Sequence, residues 1–306
     1  LDAATGRELR SLGHSLHVFP QPVVIDGVLV GFGSIEGEAR FMGIDVATGA
    51  LRYAVAVRGS SSSLPLLAAG PLALALRPSE LDPSTHELAA FEARSGSLRW
   101  SRPVPEIAAV RVHLRDELLL VARERAVERI DPSTGVRRWE RELDDDVVAM
   151  TSLSGRAFIQ LEDDTLLALD AETGRELVER KLDARSLRPW TQPEGSLTAS
   201  DRALFLLDER GGAYVLDAEL RQLASISDVI SLDARGSRVI ATLGAPGLAR
   251  LDPATGATIW RAERTLPTDG YSLQGNLVIG GGDDEVVALE LETGKLRWRW
   301  TYPHAR

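Results

Sequence analysis

Along the whole chain, apolar residues alternate with polar ones over short runs that Gly, Pro and Asp repeatedly cut. A period of two with frequent turn residues predicts strands, because successive side chains of a strand point to opposite faces. The stretch from Asp144 displays the unit: VVAMTSL, a turn at Ser154-Gly155, RAFIQL, an acidic turn, TLLALD, a Thr-Gly turn, and RELVERKL. Four strands joined by turns this short can only run antiparallel, so the unit is predicted to be a four-stranded meander.

The unit recurs. LDAATGRELR at Leu1 returns as IDVATGALRY at Ile44, FEARSGSLRW at Phe91, IDPSTGVRRW at Ile130, LDAETGRELV at Leu169, LDPATGATIW at Leu251 and LELETGKLRW at Leu289. An eighth copy, LDAELRQLAS at Leu216, keeps the apolar-Asp opening and lacks the Thr-Gly pair. The turn glycines, Gly6, Gly49, Gly96, Gly135, Gly174, Gly256 and Gly294, are spaced by 43, 47, 39, 39, 82 and 38 residues, the 82 spanning the degenerate copy. A period near forty built from short strands predicts an all-β propeller of four-stranded blades, each burying its faces against its neighbours. Seven complete strand sets fit between Gln21 and Trp300, with Leu1 to Leu12 left over as a third-and-fourth-strand hairpin. Seven blades are therefore expected, eight being the alternative if the opening blade is incomplete in this chain. Residues 1–306 are read as a single propeller domain, and, since they begin without methionine, as a fragment of a longer protein.

Within the phrase, Asp and Thr suit hydrogen bonds to nearby backbone amides, and Gly accepts a positive φ. Four residues after the glycine stand Tyr53, Trp100, Trp139, Trp260 and Trp298 in five copies, with Arg10 and Val178 in two others. Regular recurrence assigns these rings to packing across the seams between blades and not to stacking on a cofactor.

The phrase apolar-Asp-x-x-Thr-Gly-x-x-x-Trp resembles the repeat of pyrroloquinoline-quinone-type propellers, the class of the quinoprotein alcohol dehydrogenases and of the BamB-like assembly scaffolds. The resemblance covers essentially the whole chain and implies the propeller fold. It carries no activity, because the class includes enzymes, scaffolds and sensor domains. A quinone dehydrogenase of this class is expected to present a vicinal cysteine pair, a calcium site and a catalytic aspartate on a longer chain. The sequence contains no cysteine, and its aspartates are accounted for by repeat turns. The reading is a non-catalytic scaffold or sensor propeller that binds another protein, with no cofactor; the alternative is a quinone-dependent or other propeller enzyme. A periplasmic or otherwise extracytoplasmic location is implied by the resemblance alone.

Composition narrows the partner. With 35 basic and 45 acidic residues the formal charge is −10, and no basic stripe is visible, which speaks against nucleic acid. The longest apolar run, Leu64 to Leu76, is broken by Pro65, Gly70 and Pro71, so no membrane-inserting segment is expected here. The histidines, His14, His17, His86, His113 and His304, are scattered over different repeats and complete no metal-ligand set. No nucleophile elbow, phosphate loop or dinucleotide fingerprint is present. Acidic pairs at Asp144-Asp145-Asp146, Asp163-Asp164, Asp208-Glu209 and Asp283-Asp284-Glu285 lack the spacing of a calcium loop and are read as solvated turns.

Meander topology sends the second-to-third and blade-to-blade connections to one end of a blade and the Thr-Gly turns to the other. Length variation falls on the first of these ends, at Arg58 to Ser63, Pro78 to His86 and Asp183 to Glu194. Variable loops on a rigid frame are where binding concentrates. The expected partner-binding residues are therefore Arg58, Arg188 and Trp190 as anchors, with Asp144, Asp145, Asp146, Asp283, Asp284 and Glu285 as an acidic edge for a basic partner.

Overall fold

The computed structural model describes residues 5, 7, 22–57, 66–79, 85–104, 110–115, 117–182, 196–208, 211–244, 247–262, 271–281 and 285–301. Among them are seven four-stranded antiparallel sheets, each with its strands paired in sequence order, and no helix. The sheets run from Val23 to Ala56, Leu67 to Val104, Val110 to Glu142, Val147 to Lys181, Leu197 to Ser227, Val229 to Arg261 and Tyr271 to Thr301. They are the seven blades of an all-β propeller, numbered here in that order. The leftover hairpin expected near the start of the chain falls almost entirely outside the described residues.

The fourth blade has strands Val147–Leu153, Arg156–Leu161, Thr165–Asp170 and Glu176–Lys181, as the alternation predicts. Its second and third strands are buried nearly throughout, whereas the fourth alternates. Burial on both faces explains why the middle strands read as almost continuous apolar runs and the outer one as a charged alternation.

The chain divides into two compact units, one of Ser11–Val147 with Glu172–Gly174, the other of Leu1–Arg10, Val148–Ala171 and Arg175–Arg306. In the first unit Phe41 and Phe91 stack at 4.5 Å within an apolar cluster that includes Val28, Val30 and Ala73. The second unit contains clusters centred on Phe158, Phe205 and Ile240.

Every blade has a bulge between its third and fourth strands, placed just before the apolar residue that opens the repeat phrase. The turn that follows is built by its aspartate. Asp45 Oδ1 accepts from the amide of Thr48 at 2.7 Å and from its hydroxyl at 2.9 Å, and Asp252 Oδ1 accepts the equivalent pair from Thr255, both at 2.8 Å. Gly135 and Gly256 close their turns at φ 72° and 71°.

A second demand on the glycines is visible only in three dimensions. A Cβ on Gly135 would lie 2.7 Å from the indole of Trp100, and the same approach occurs between Gly96 and Tyr53, Gly174 and Trp139, and Gly294 and Trp260. Each ring lies flat on a turn glycine further along the chain, 43 residues on for Tyr53 and 34 or 35 for the tryptophans. Its polar tip donates to the backbone carbonyl just after the turn acid: Tyr53 to Ala93 at 3.0 Å, Trp100 to Pro132 at 3.0 Å and Trp260 to Leu291 at 2.8 Å. The recurring tryptophans are packing residues, as their spacing implies.

The degenerate repeat follows the same logic with other atoms. Val178 stands where the ring would be, and Leu220, fully buried at φ 62°, occupies the shortened turn and packs in the cluster that Val178 covers. The turn is one residue shorter, Leu216 pairing with Gln222 where Leu169 pairs with Glu176. The carbonyl of Ala218 is then satisfied by Arg156 at 2.6 Å. In the fifth blade Ala224 replaces the ring, Val215 and Ile226 cover Gly256, and Ser200 donates to the carbonyl of Pro253 at 2.6 Å. A lost aromatic is thus replaced in two parts, volume by an aliphatic side chain and hydrogen bond by another donor, because a buried carbonyl left unpaired is costly.

Candidate functional site

The turn aspartates are held in their charged form. The guanidinium of Arg52, with the amide and hydroxyl of Thr48, lowers Asp45 to about 2. The hydroxyl of Ser133 and the guanidinium of Arg138 push Asp131 lower still, and the hydroxyl and amide of Thr255 lower Asp252. Carboxylates fixed as acceptors by several donors are poorly suited to proton transfer near neutrality. Their chemistry is spent on the turn.

The end of the third blade opposite its Thr-Gly turn carries the acidic run at Asp144 to Asp146. Asp144, Asp145 and Asp146 form the connection that follows the third blade's outer strand, Arg137–Glu142. Asp145 accepts from the amide of Asp146 at 2.9 Å and stands 3.8 Å from the guanidinium of Arg125, which also donates to the carbonyl of Asp144. Asp144 and Asp146 are exposed. The structure adds two acids beside them. Glu124, exposed in the adjoining turn, accepts at its backbone carbonyl from the amide of Val147 at 2.9 Å, and exposed Glu142 pairs in register with Ala126. Glu142 precedes the run at Asp144 by only two residues, whereas Glu124 lies twenty residues before it and does not stand out in the sequence, because only the hairpin brings it there. Arg125 was equally illegible as the cation that ties this connection down.

Other expected acids are already engaged. Glu285 pairs with Arg299 at 2.9 Å, and Asp163 pairs with Lys181 at 2.5 Å while accepting from the amide of Thr165 at 3.0 Å. Asp208 is buried in its hairpin and accepts from the amide of Gly212 at 2.8 Å. Arg58, Arg188, Trp190, Asp283 and Asp284 lie outside the described residues, as do His14, His17 and His304. Of the expected partner-binding set, the structure brings Asp144, Asp145 and Asp146 together and places Glu285 in a different blade, at the start of its third strand.

Among the described residues no group of three His, Asp or Glu side chains is arranged to hold a metal ion. No helix there is long and apolar enough to cross a membrane.

A family model described as outer membrane protein assembly factor BamB matches residues 1–146, 84–270 and 244–305. Among curated proteins, a polyvinylalcohol dehydrogenase of a Pseudomonas species is 31% identical over 150 residues, covering 43% of this chain and 23% of that protein. The chain therefore spans about a quarter of that dehydrogenase. Among solved structures, BamB from Moraxella catarrhalis aligns over 95% of this chain and 91% of its own with a TM-score of 0.59 and 14% identity. A quinohemoprotein alcohol dehydrogenase from Comamonas testosteroni aligns over 92% of this chain and 66% of its own, with a TM-score of 0.58 and 12% identity. The computationally designed protein Ika8 aligns over 96% and 90% with a TM-score of 0.71 and 16% identity. At these identities the structural matches speak to fold alone.

Proposed function

This chain belongs to the family of outer membrane protein assembly factor BamB, and on that premise we propose that it is a non-catalytic scaffold that binds another protein. The observation that carries the proposal is the use already made of the repeat residues. Asp45, Asp131 and Asp252 are acceptors inside turns, and Tyr53, Trp100 and Trp260 are seated on turn glycines with their polar tips bonded. The residues that recur are consumed in building the frame, which leaves binding to the segments that vary.

The partner docks at the end of the blades opposite the Thr-Gly turns, where the acidic run at Asp144 to Asp146, extended by Glu124 and Glu142, complements a basic surface on it. Attraction of this kind raises the association rate and weakens with salt. Arg58, Arg188 and Trp190 remain the proposed anchors.

Photo-crosslinkers introduced at Asp144 and Asp146, and separately at Ala47 and Ser95 beside the Thr-Gly turns, test partner and face together. Crosslinks to one protein from the first pair, lost on raising salt, are the expected result. Crosslinks confined to Ala47 and Ser95 overturn the face assignment.

The partial match to the polyvinylalcohol dehydrogenase favours a second reading, a quinone-dependent enzyme. The cysteine pair expected of such an enzyme does not exist in this sequence, and the turn aspartates named above are engaged, so these residues do not fit the quinone. Adding pyrroloquinoline quinone with calcium separates the readings: a new visible absorbance band with dye-linked alcohol oxidation overturns the scaffold.

A further inference from the structure

We propose that the outer strand of the fifth blade, Gln222–Ser227, is a self-pairing edge through which two copies of this chain join. The outer strand of a blade pairs on one side only, and its other edge presents backbone groups that any extended strand can complete. Natural edges are guarded by charge or proline. Each of the other six outer strands carries at least one Arg, Lys or Glu, and the second carries Pro103 as well. The strand QLASIS has neither, over six residues.

What the missing charge selects is a copy of the same strand. Antiparallel two-fold pairing sets the residue on the axis against its own copy and leaves its neighbours diagonally close to theirs, so a charge near the axis meets like charge and an uncharged strand meets none. A heterologous strand imposes no such condition, since its charges can complement. With the axis through Ser225, Ala224 faces Ile226 and Leu223 faces Ser227. Leu223, exposed at 53%, gains cover, whereas Ala224 and Ile226 already lean on the core cluster of the fifth and sixth blades. The strand ends are complementary too. Arg221 and Asp228 flank the edge, both exposed, and antiparallel pairing brings Arg221 of one copy to the end where Asp228 of the other stands.

Ala224, near the centre of the strand, stands where five of the other blades place an aromatic ring and the fourth places Val178, so the side chain there is small. Six residues a side make an interface below the roughly 1,000 Å² of stable complexes. The expected dimer is accordingly weak, forming at roughly tens to hundreds of micromolar, and it strengthens with salt because each copy carries a charge of −10.

Sedimentation equilibrium at up to about 300 µM in low and high salt tests the edge, with circular dichroism confirming that each variant is folded. The wild-type chain is expected to dimerise more at high salt, and Ser225→Lys to weaken the dimer at least tenfold. Ser225→Lys mixed with Ser225→Glu is expected to dimerise where either alone does not, a rescue that a folding defect cannot produce. A wild-type chain monomeric throughout, a dimer indifferent to Ser225→Lys, or a mixed pair without rescue each overturns the proposal. None of these results bears on the scaffold reading, which concerns the end of the blades opposite the Thr-Gly turns and not the edge of an outer strand.

Discussion

Gly135→Ala tests the double demand on the turn glycines most directly. At φ 72° the new residue pays for a left-handed conformation, about 1 to 2 kcal/mol. Its Cβ also lies 2.7 Å from the indole of Trp100, so the ring must move. Displacement costs the 3.0 Å bond to Pro132, worth about 1 kcal/mol, together with ring contacts of similar size. The expected total is about 3 to 4 kcal/mol. Gly155→Ala is the matched control, because Gly155 has φ 73° and nothing within 4 Å of its Cβ. It should cost only the conformational part. In a Trp100→Ala background, Gly135→Ala should likewise fall to about 1 to 2 kcal/mol, a coupling of about 2 kcal/mol. Urea unfolding of the four variants supplies the cycle. Equal costs for Gly135→Ala and Gly155→Ala, or a coupling near zero, would show that the ring does not depend on the missing side chain.

Acid should act through the turn aspartates. Their folded pKa values lie below the unfolded value near 3.9, so the stability they confer is present above about pH 4 and lost as pH falls, through about 2 for Asp45; urea midpoints of the wild type should drop over that window, and less steeply for Asp45→Asn or Asp131→Asn. Leu220→Gly removes a fully buried side chain while relieving a strained φ of 62°, so a net loss of about 1 to 3 kcal/mol is expected in thermal or urea unfolding, and no loss would mean that Leu220 does not stand in for the ring. Arg156→Met keeps most of the stem and deprives the Ala218 carbonyl of its donor, which should cost about 1 to 2 kcal/mol by the same assay.

Local chemistry made much of this legible in the sequence. The strand-and-turn unit depends on contacts a few residues apart: the alternation that sorts faces, the aspartate that accepts from an amide three residues on, and the glycine that takes a positive φ. Such constraints leave a periodic trace, and the blade count follows from counting it. Tertiary structure decided what the periodicity could not express. Trp100 meets Gly135 across thirty-five residues, Arg156 meets Ala218 across sixty-two, and Glu124 joins Asp144 only after a hairpin folds back. The repeat at Leu216 looked merely decayed in one dimension; in three it is a substitution at both sides of one seam, Val178 for the ring and Leu220 for the glycine. A contact between distant segments fixes only their combined volume and the pairing of their polar atoms, so either partner can change if the other compensates, and that compensation has no fixed spacing along the chain.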